Sequence, residues 1–202
     1  MEIKVYDNFL DDKYLDELND YNIWQLVAKQ DVKWVDIHSK PTNVFERIIK
    51  KEYHRISPIY NTFKGYEYWR VSLCSSSNPV LSLHQDLDEI LEEREGIKKP
   101  ASLSTVLYGY PHHVKGGNLQ IQKNEVQEYE PKYNRLICFD SNLHHQVLPV
   151  TLGVRVALSV NFWTEKPIGY HNGNFRVKKE GLPPLIVSKV SSVVNIKFCY
   201  FP

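Results

Sequence analysis

The chain has 202 residues, 42% of them apolar and 24% charged, which is enough for one sizeable core and short for two. Twenty-five basic residues against twenty-four acidic ones leave a formal charge of +1, so no global field draws it to nucleic acid or anionic lipid, and partner choice rests on a local site. No stretch approaches the roughly eighteen apolar residues of a membrane helix, and Met1 leads straight into the mixed segment EIKVYDNF, so no membrane association and a cytoplasmic location are expected.

In chain order, EIKVYDNFL reads as a short strand. DDKYLDELNDY follows as a helix that Asp11 can cap, with Leu15 and Leu18 on its inner face. A second helix is expected from about Thr42, where Phe45, Ile48, Ile49 and Tyr53 recur at helical spacing. Both helices are expected to pack on the back of a sheet.

From residue 66 the period changes to two. The runs YEYWRVSLC, VLSLHQD, SLSTVLYGY, NLQIQ, RLICFD, HQVLPV and VRVALSVNFW alternate apolar and polar residues and are rich in β-branched and aromatic types. Turn residues separate them in SSSNP (75–79), VKGGN (114–118) and TLG (151–153). Short strands at this density predict a sandwich or barrel. After Trp163, GYHNGNFRVKKEGLPP reads as irregular and LIVSKVSSVVNIKFCYFP as one or two strands with an apolar end. Cys74, Cys138 and Cys199 are odd in number and lack metal-type spacing, as expected of buried thiols in a reducing compartment.

Chemistry enters at LSLHQDLDE, residues 81–89. Strand side chains alternate faces, so His84 and Asp86 project together while Leu83 and Leu87 point away. By itself this pair is either polar surface or two thirds of a metal site. One imidazole and one carboxylate suit a divalent ion of intermediate hardness, and a second histidine would complete the two-His-one-carboxylate facial triad of non-haem Fe(II) oxygenases.

The segment NRLICFDSNLHHQVLPVTLGVRVALSVNFW (134–163), with the His84-x-Asp86 pair and Gly116-Gly117-Asn118-Leu119 between them, resembles the iron and 2-oxoglutarate dependent dioxygenases, in particular their prolyl-hydroxylase-like branch found in microbes and viruses. Ser141, Leu143, His145, Val147, Pro149, Val150, Gly153 and Arg155 stand where that branch carries S-x-L-x-H-x-V-x-P-V and G-x-R. The likeness covers roughly residues 66–163. It implies a mainly β fold with flanking α-helices: a double-stranded β-helix, the cupin-like jelly-roll barrel, with the N-terminal helices packed on one sheet. One domain, 1–202, would divide into support (1–65), jelly-roll core (66–163) and C-terminal extension (164–202).

Carried over by position, the resemblance makes His84, Asp86 and His145 the Fe(II) ligands and catalytic centre. His144 and His145 must face opposite ways, so one of them at most can ligate, and the family phrase selects His145. Arg155, ten residues beyond it, would hold the distal carboxylate of 2-oxoglutarate, with Tyr108 and then Ser159 as further cosubstrate contacts. The residues themselves add that Arg155, Ala157, Ser159 and Asn161 share one strand face and Val156, Leu158, Val160 and Phe162 the other. If the first face lines a barrel, the arginine needs an anionic partner, and if it faces solvent, it is surface. His112 and His113 sit in a loop and read as solvated. His38, His54 and His171 have no partner pattern. Gly116 and Gly117 suit a turn with positive φ or close backbone approach.

The activity implied is hydroxylation of an unactivated C–H bond in a peptidyl residue or small metabolite. It uses Fe(II), 2-oxoglutarate and O2, with ascorbate as an auxiliary reductant, and releases succinate and CO2. The branch's tyrosines just before His-x-Asp are missing from VSLCSSSNPVLSL, a departure that bears on the substrate and not on the metal. The alternative is a cupin-like jelly roll that binds metal or ligand without oxygenase activity. Nucleic-acid demethylases of the same superfamily carry a second arginine six residues past the first. Here position 161 is Asn, so a nucleic-acid substrate is not expected. Oligomeric state is left open.

Overall fold

Alternating β-branched and aromatic residues after Gly65 produce extended segments whose two faces bury against different layers. The computed structural model describes residues 2–28, 32–57, 60–75, 81–111 and 113–170. One sheet combines β1 (Lys4–Asp7), β2 (Lys33–Asp36), β3 (Gly65–Cys74), β5 (Leu103–Tyr108), β9 (Arg135–Phe139) and β11 (Val150–Trp163) in the order β1-β9-β5-β11-β3-β2, with β6 (Val114–Gly116) pairing to β11. The other runs β4-β10-β7-β8 from β4 (Leu81–His84), β7 (Leu119–Gln122), β8 (Val126–Tyr129) and β10 (His144–Val147). All pairings are antiparallel, and β3 and β11 run together from Gly65↔Trp163 to Cys74↔Val154. This is the jelly-roll architecture expected.

The alternation of β11 decides the layering. Val156, Leu158, Val160 and Phe162 join Leu18, Trp24, Phe45, Ile48, Ile49 and Tyr53 in one buried cluster, so the helices α1 (Asp12–Leu18), α2 (Tyr21–Ala28) and α3 (Val44–Glu52) cover the outer face of the larger sheet. Ala157 instead packs with Tyr108, Leu119, Ile121, Ile137, Phe139 and Val147 between the two sheets. Removing a side chain such as Ile48, 0% exposed, is expected to lower stability by about 2–5 kcal/mol on truncation to alanine. Chemical denaturation checks this, and a change under about 1 kcal/mol would contradict the layering.

The helix expected from Thr42 is α3. Asn43 caps it by accepting from the Glu46 amide at 3.0 Å, and Glu46 reaches back to the Thr42 amide at 2.7 Å, a reciprocal capping box shifted onto neighbouring residues. Asp11 occupies the N-cap of α1 without a side-chain cap bond and pairs instead with Lys13 at 3.4 Å. Two expectations change. The run after Asn19 restarts as α2, and TLG (151–153) lies inside β11, where the register against β6 shifts between Val150 and Leu152 and Gly153, at φ +78°, lets the strand approach the His113 carbonyl. Cys138 is buried and Cys74 half-buried, and neither forms a disulfide among the described residues. Burial pushes the Cys138 thiol far above its ordinary range, which makes it inert. Cys199 and the LIVSKVSSVVNIKFCYFP segment lie outside the described residues. No helix among the described residues is long and apolar enough to cross a membrane.

Candidate metal centre

Strands β4 and β10 pair so that His84 and His145 stand opposite one another, their ring centroids 4.2 Å apart. Each ring is fixed through Nδ1, His84 against the Ser82 carbonyl at 2.7 Å and His145 against the Leu143 carbonyl at 3.0 Å. A carbonyl only accepts, so Nδ1 carries the proton and Nε2 keeps its lone pair. Both Nε2 atoms face Asp86, at 3.9 Å from Oδ1 for His84 and 3.5 Å from Oδ2 for His145.

Asp86 lies just beyond β4, and its position comes from cross-links rather than from a continued strand. Its amide donates to the Ser141 carbonyl at 3.4 Å, and its carbonyl accepts from Ala101 at 2.9 Å. The Ser104 hydroxyl donates to Oδ2 at 2.5 Å and is itself bonded to the Ser141 hydroxyl at 2.7 Å. One ligand atom from each of His84, Asp86 and His145 lies within 4.8 Å of the others. Two neutral imidazoles and a carboxylate converging from one side form the donor set of a facial triad.

Burial, reinforced by the adjacent His145, pulls the His84 imidazole below its ordinary 6.5. The unfolded chain therefore binds more protons between the folded value and 6.5, so stability is fully present above 6.5 and is lost as pH falls into that window. Metal-free protein is expected to lose stability below about pH 6.5, and His84→Gln to flatten that slope. Denaturation midpoints across pH 5–8 check it, and parallel curves would contradict it. Ser104→Ala is expected to weaken metal retention by about 10–100-fold, as loss of an outer partner of a ligating carboxylate does. Chelator competition measures that, and unchanged retention would contradict it.

The opposite end of the same space holds a cation. Arg155 is 1% exposed. Its Nε donates to the Gly117 carbonyl at 2.9 Å and Nη2 to the Tyr108 hydroxyl at 2.9 Å, while buried Nη1 has no hydrogen-bond partner among the described residues. Leaving such a donor unmet costs about 1–3 kcal/mol. A carboxylate entering the cavity would take it up in bidentate fashion. Gly117 has φ +69°, and a Cβ there would come within 3.0 Å of Arg155 Cδ, so glycine is required for the carbonyl to approach the guanidinium. Gly116, at φ +71°, would drive a Cβ to 2.4 Å from the Pro149 carbonyl oxygen.

A cavity of about 800 Å³, part of it open to solvent, connects the two ends. His84, Asp86, His145, Arg155 and Ser159 all line it, and Tyr108, fully buried, sits behind Arg155. His144 is exposed while His145 is buried. His38, His54 and His113 are exposed, and His112 and His171 lie outside the described residues. The sequence put Asn161 on the face of β11 that carries Arg155, but it offered no signal for Ser104 or Glu67 as cavity residues: a strand serine and a strand glutamate look the same on either face until register is known.

The family model of the 2OG-Fe(II) oxygenase superfamily matches residues 71–164. No curated protein matches. The fold is similar to that of a prolyl-4-hydroxylase from Pseudomonas putida, at 18% identity and TM-score 0.55, covering 80% of this chain and 84% of that one. It is also similar to the viral collagen prolyl hydroxylase of Paramecium Bursaria Chlorella virus-1, solved as a 2OG complex, at 16% identity and TM-score 0.58, covering 82% and 97%. A prolyl hydroxylase from Trichoplax adhaerens, in complex with a hypoxia inducible factor oxygen degradation domain peptide fragment, matches at 14% identity and TM-score 0.53, covering 82% and 84%.

Proposed function

We propose that the chain is an oxygenase of the 2OG-Fe(II) superfamily, whose model matches residues 71–164 and whose members use Fe(II), 2-oxoglutarate and O2, and that His84, Asp86 and His145 hold the iron and Arg155 the distal carboxylate of 2-oxoglutarate. The observation that carries the reading is the pairing of a converged His-Asp-His set with an arginine in the same cavity whose buried Nη1 lacks a partner among the described residues. A jelly roll that bound metal for structure alone would have no use for that second feature.

When bound, the iron and cosubstrate supply the oxidation: one oxygen atom of O2 enters succinate as CO2 leaves, and the other becomes the hydroxyl of the product. The chain positions and shields. The Ser82 and Leu143 carbonyls hold the imidazole tautomers, and Ser104 holds the Asp86 carboxylate. Gly117 and Tyr108 keep Arg155 aimed inward, the Tyr108 hydroxyl accepting from the guanidinium beside the place the cosubstrate carboxylate would take. Ser159, which lines the same cavity, would add a contact. The apolar wall of Val106, Leu119, Phe139 and Val147 limits water around the oxidant. The substrate is a peptidyl residue or a small metabolite, a reading supported by the peptide-bound fold relative.

Succinate formation from 2-oxoglutarate tests the reading. It is expected with Fe(II) in air and not under argon. Equal amounts with and without Fe(II), after chelation and dialysis, would sink it.

A further inference from the structure

The register of the larger sheet aligns Phe139, Ser104, Asn161, Glu67 and Trp34 in one row. Ser104 is the member bonded to Asp86. Asn161 lies one strand away, roughly 4.8 Å, and Glu67 two strands away, roughly 10 Å. Both line the cavity that holds the proposed iron ligands, and they are 3% and 2% exposed. Glu67 is therefore a buried carboxylate near the metal set and on the opposite flank from Arg155.

Its partners leave it undersupplied. The Tyr170 hydroxyl donates to Oε2 at 2.5 Å, and the Asn161 amide reaches Oε1 only at 3.5 Å. A carboxylate offers about four acceptor sites, and among the described residues no cationic side chain pairs with Glu67. Burying such a group without a cation is expensive. The cofactors do not relieve it, because the charge of Fe(II) beyond Asp86 and that of 2-oxoglutarate beyond Arg155 cancel. Trp69, two residues along β3 on the same face, lines the space beside it, and an indole face adds attraction for a cation. Holding Tyr170 against Trp34 and Ala101 needs only an acceptor oxygen, which a glutamine supplies equally well. The charge is left for a ligand.

We propose, resting on the oxygenase reading above, that Glu67 is the specificity-determining carboxylate of this cavity and that the substrate carries an ammonium or guanidinium group, as a lysine or arginine residue or as the free amino acid. A prolyl ring within a peptide offers no donor to Glu67 and leaves its charge buried and unmet.

Anaerobic calorimetry on protein loaded with Fe(II) and 2-oxoglutarate tests this. The ligands are Ac-Gly-X-Gly-NH2 peptides with X as Lys, Arg, Gln, Leu or Pro, and then free lysine and free arginine. At least one cationic ligand is expected to bind about tenfold or more tighter than the Gln peptide, with affinity falling as salt rises. Glu67→Gln is expected to bring that preference within about twofold without lowering the thermal midpoint and with the 2-oxoglutarate affinity unchanged. If Glu67→Gln fails to fold, Glu67→Asp, which keeps the charge and shortens its reach, is expected to weaken the cationic ligands and leave the Leu peptide unaffected. The peptide and free amino acid arms separate a protein substrate from a metabolite. Gln, Leu or Pro peptides binding as tightly as Lys and Arg, no binding by any cationic ligand, or a preference that survives Glu67→Gln would each overturn it. The heat of 2-oxoglutarate binding, recorded before any peptide is added, reports on the oxygenase reading separately.

Discussion

Alanine at His145 is expected to remove Fe(II) from the protein and to lower turnover by more than about 100-fold, beyond the range that loss of an outer partner produces. His145 is opposed to His84 across the β4–β10 pair, and its Nε2 is aimed at Asp86, so no neighbouring side chain can take its place. The adjacent His144 points to solvent, and recruiting it would require a one-residue slip that turns the whole strand over. The ring also packs edge-on against Phe139 at 4.8 Å, so truncation leaves a gap as well as an open coordination position. His145→Gln, which keeps more of the volume, separates the two effects: it should restore stability and not iron. Metal content per chain and the denaturation midpoint, measured on both variants, decide it. An alanine variant that retains one iron per chain would contradict the assignment.

Arg155→Ala is expected to weaken 2-oxoglutarate by about 2–5 kcal/mol, roughly 30-fold or more, while leaving Fe(II) affinity within about threefold. The guanidinium is buried, so it acts without the solvent screening that makes surface charges weak. Arg155→Lys is expected to recover little. An ammonium is a point charge that cannot hold Gly117 and Tyr108 in place and still present a free fork to a carboxylate. Tyr108→Phe, which removes one oxygen from a fully buried ring, should lie between wild type and Arg155→Ala. Calorimetric titration of 2-oxoglutarate into the Fe(II) form without oxygen measures all three, and an Arg155→Ala affinity equal to wild type would contradict the role.

The convergence of His84, Asp86 and His145 and the inward face of Arg155 could be read from local order. His84 and Asp86 sit two positions apart, His145 falls within a recognisable phrase, and Arg155 lies on the alternation of β11 that puts Val156, Leu158, Val160 and Phe162 under the helices. Helix α3 was legible for the same reason: Phe45, Ile48 and Ile49 form one stripe. What the sequence hid depends on register between distant segments. Ser104 meets Asp86 across 18 positions and Glu67 meets Tyr170 across 103, and neither residue type announces which face it occupies. β2 is four residues long and is extended because β3 offers it an edge. α2 begins where the Asp20 carboxylate accepts from the Asn22 amide at 2.9 Å, a local cap at the end of what read as a single helix, and the residues after Tyr21 carried no helical reading. α4 (Glu89–Glu95) is capped by Asp88 and closed by Gly96 at φ +69°, signals that lay in the text beside His-x-Asp but carried too few apolar residues to show a stripe.

The most direct measurement is the visible absorption of the protein as Fe(II) and then 2-oxoglutarate are added without oxygen. The account predicts one iron per chain and a charge-transfer band that grows only on adding the cosubstrate, is lost in His84→Ala, and needs far more 2-oxoglutarate in Arg155→Ala. An intact protein that gives no band, or a band that His84→Ala leaves unchanged, would contradict it.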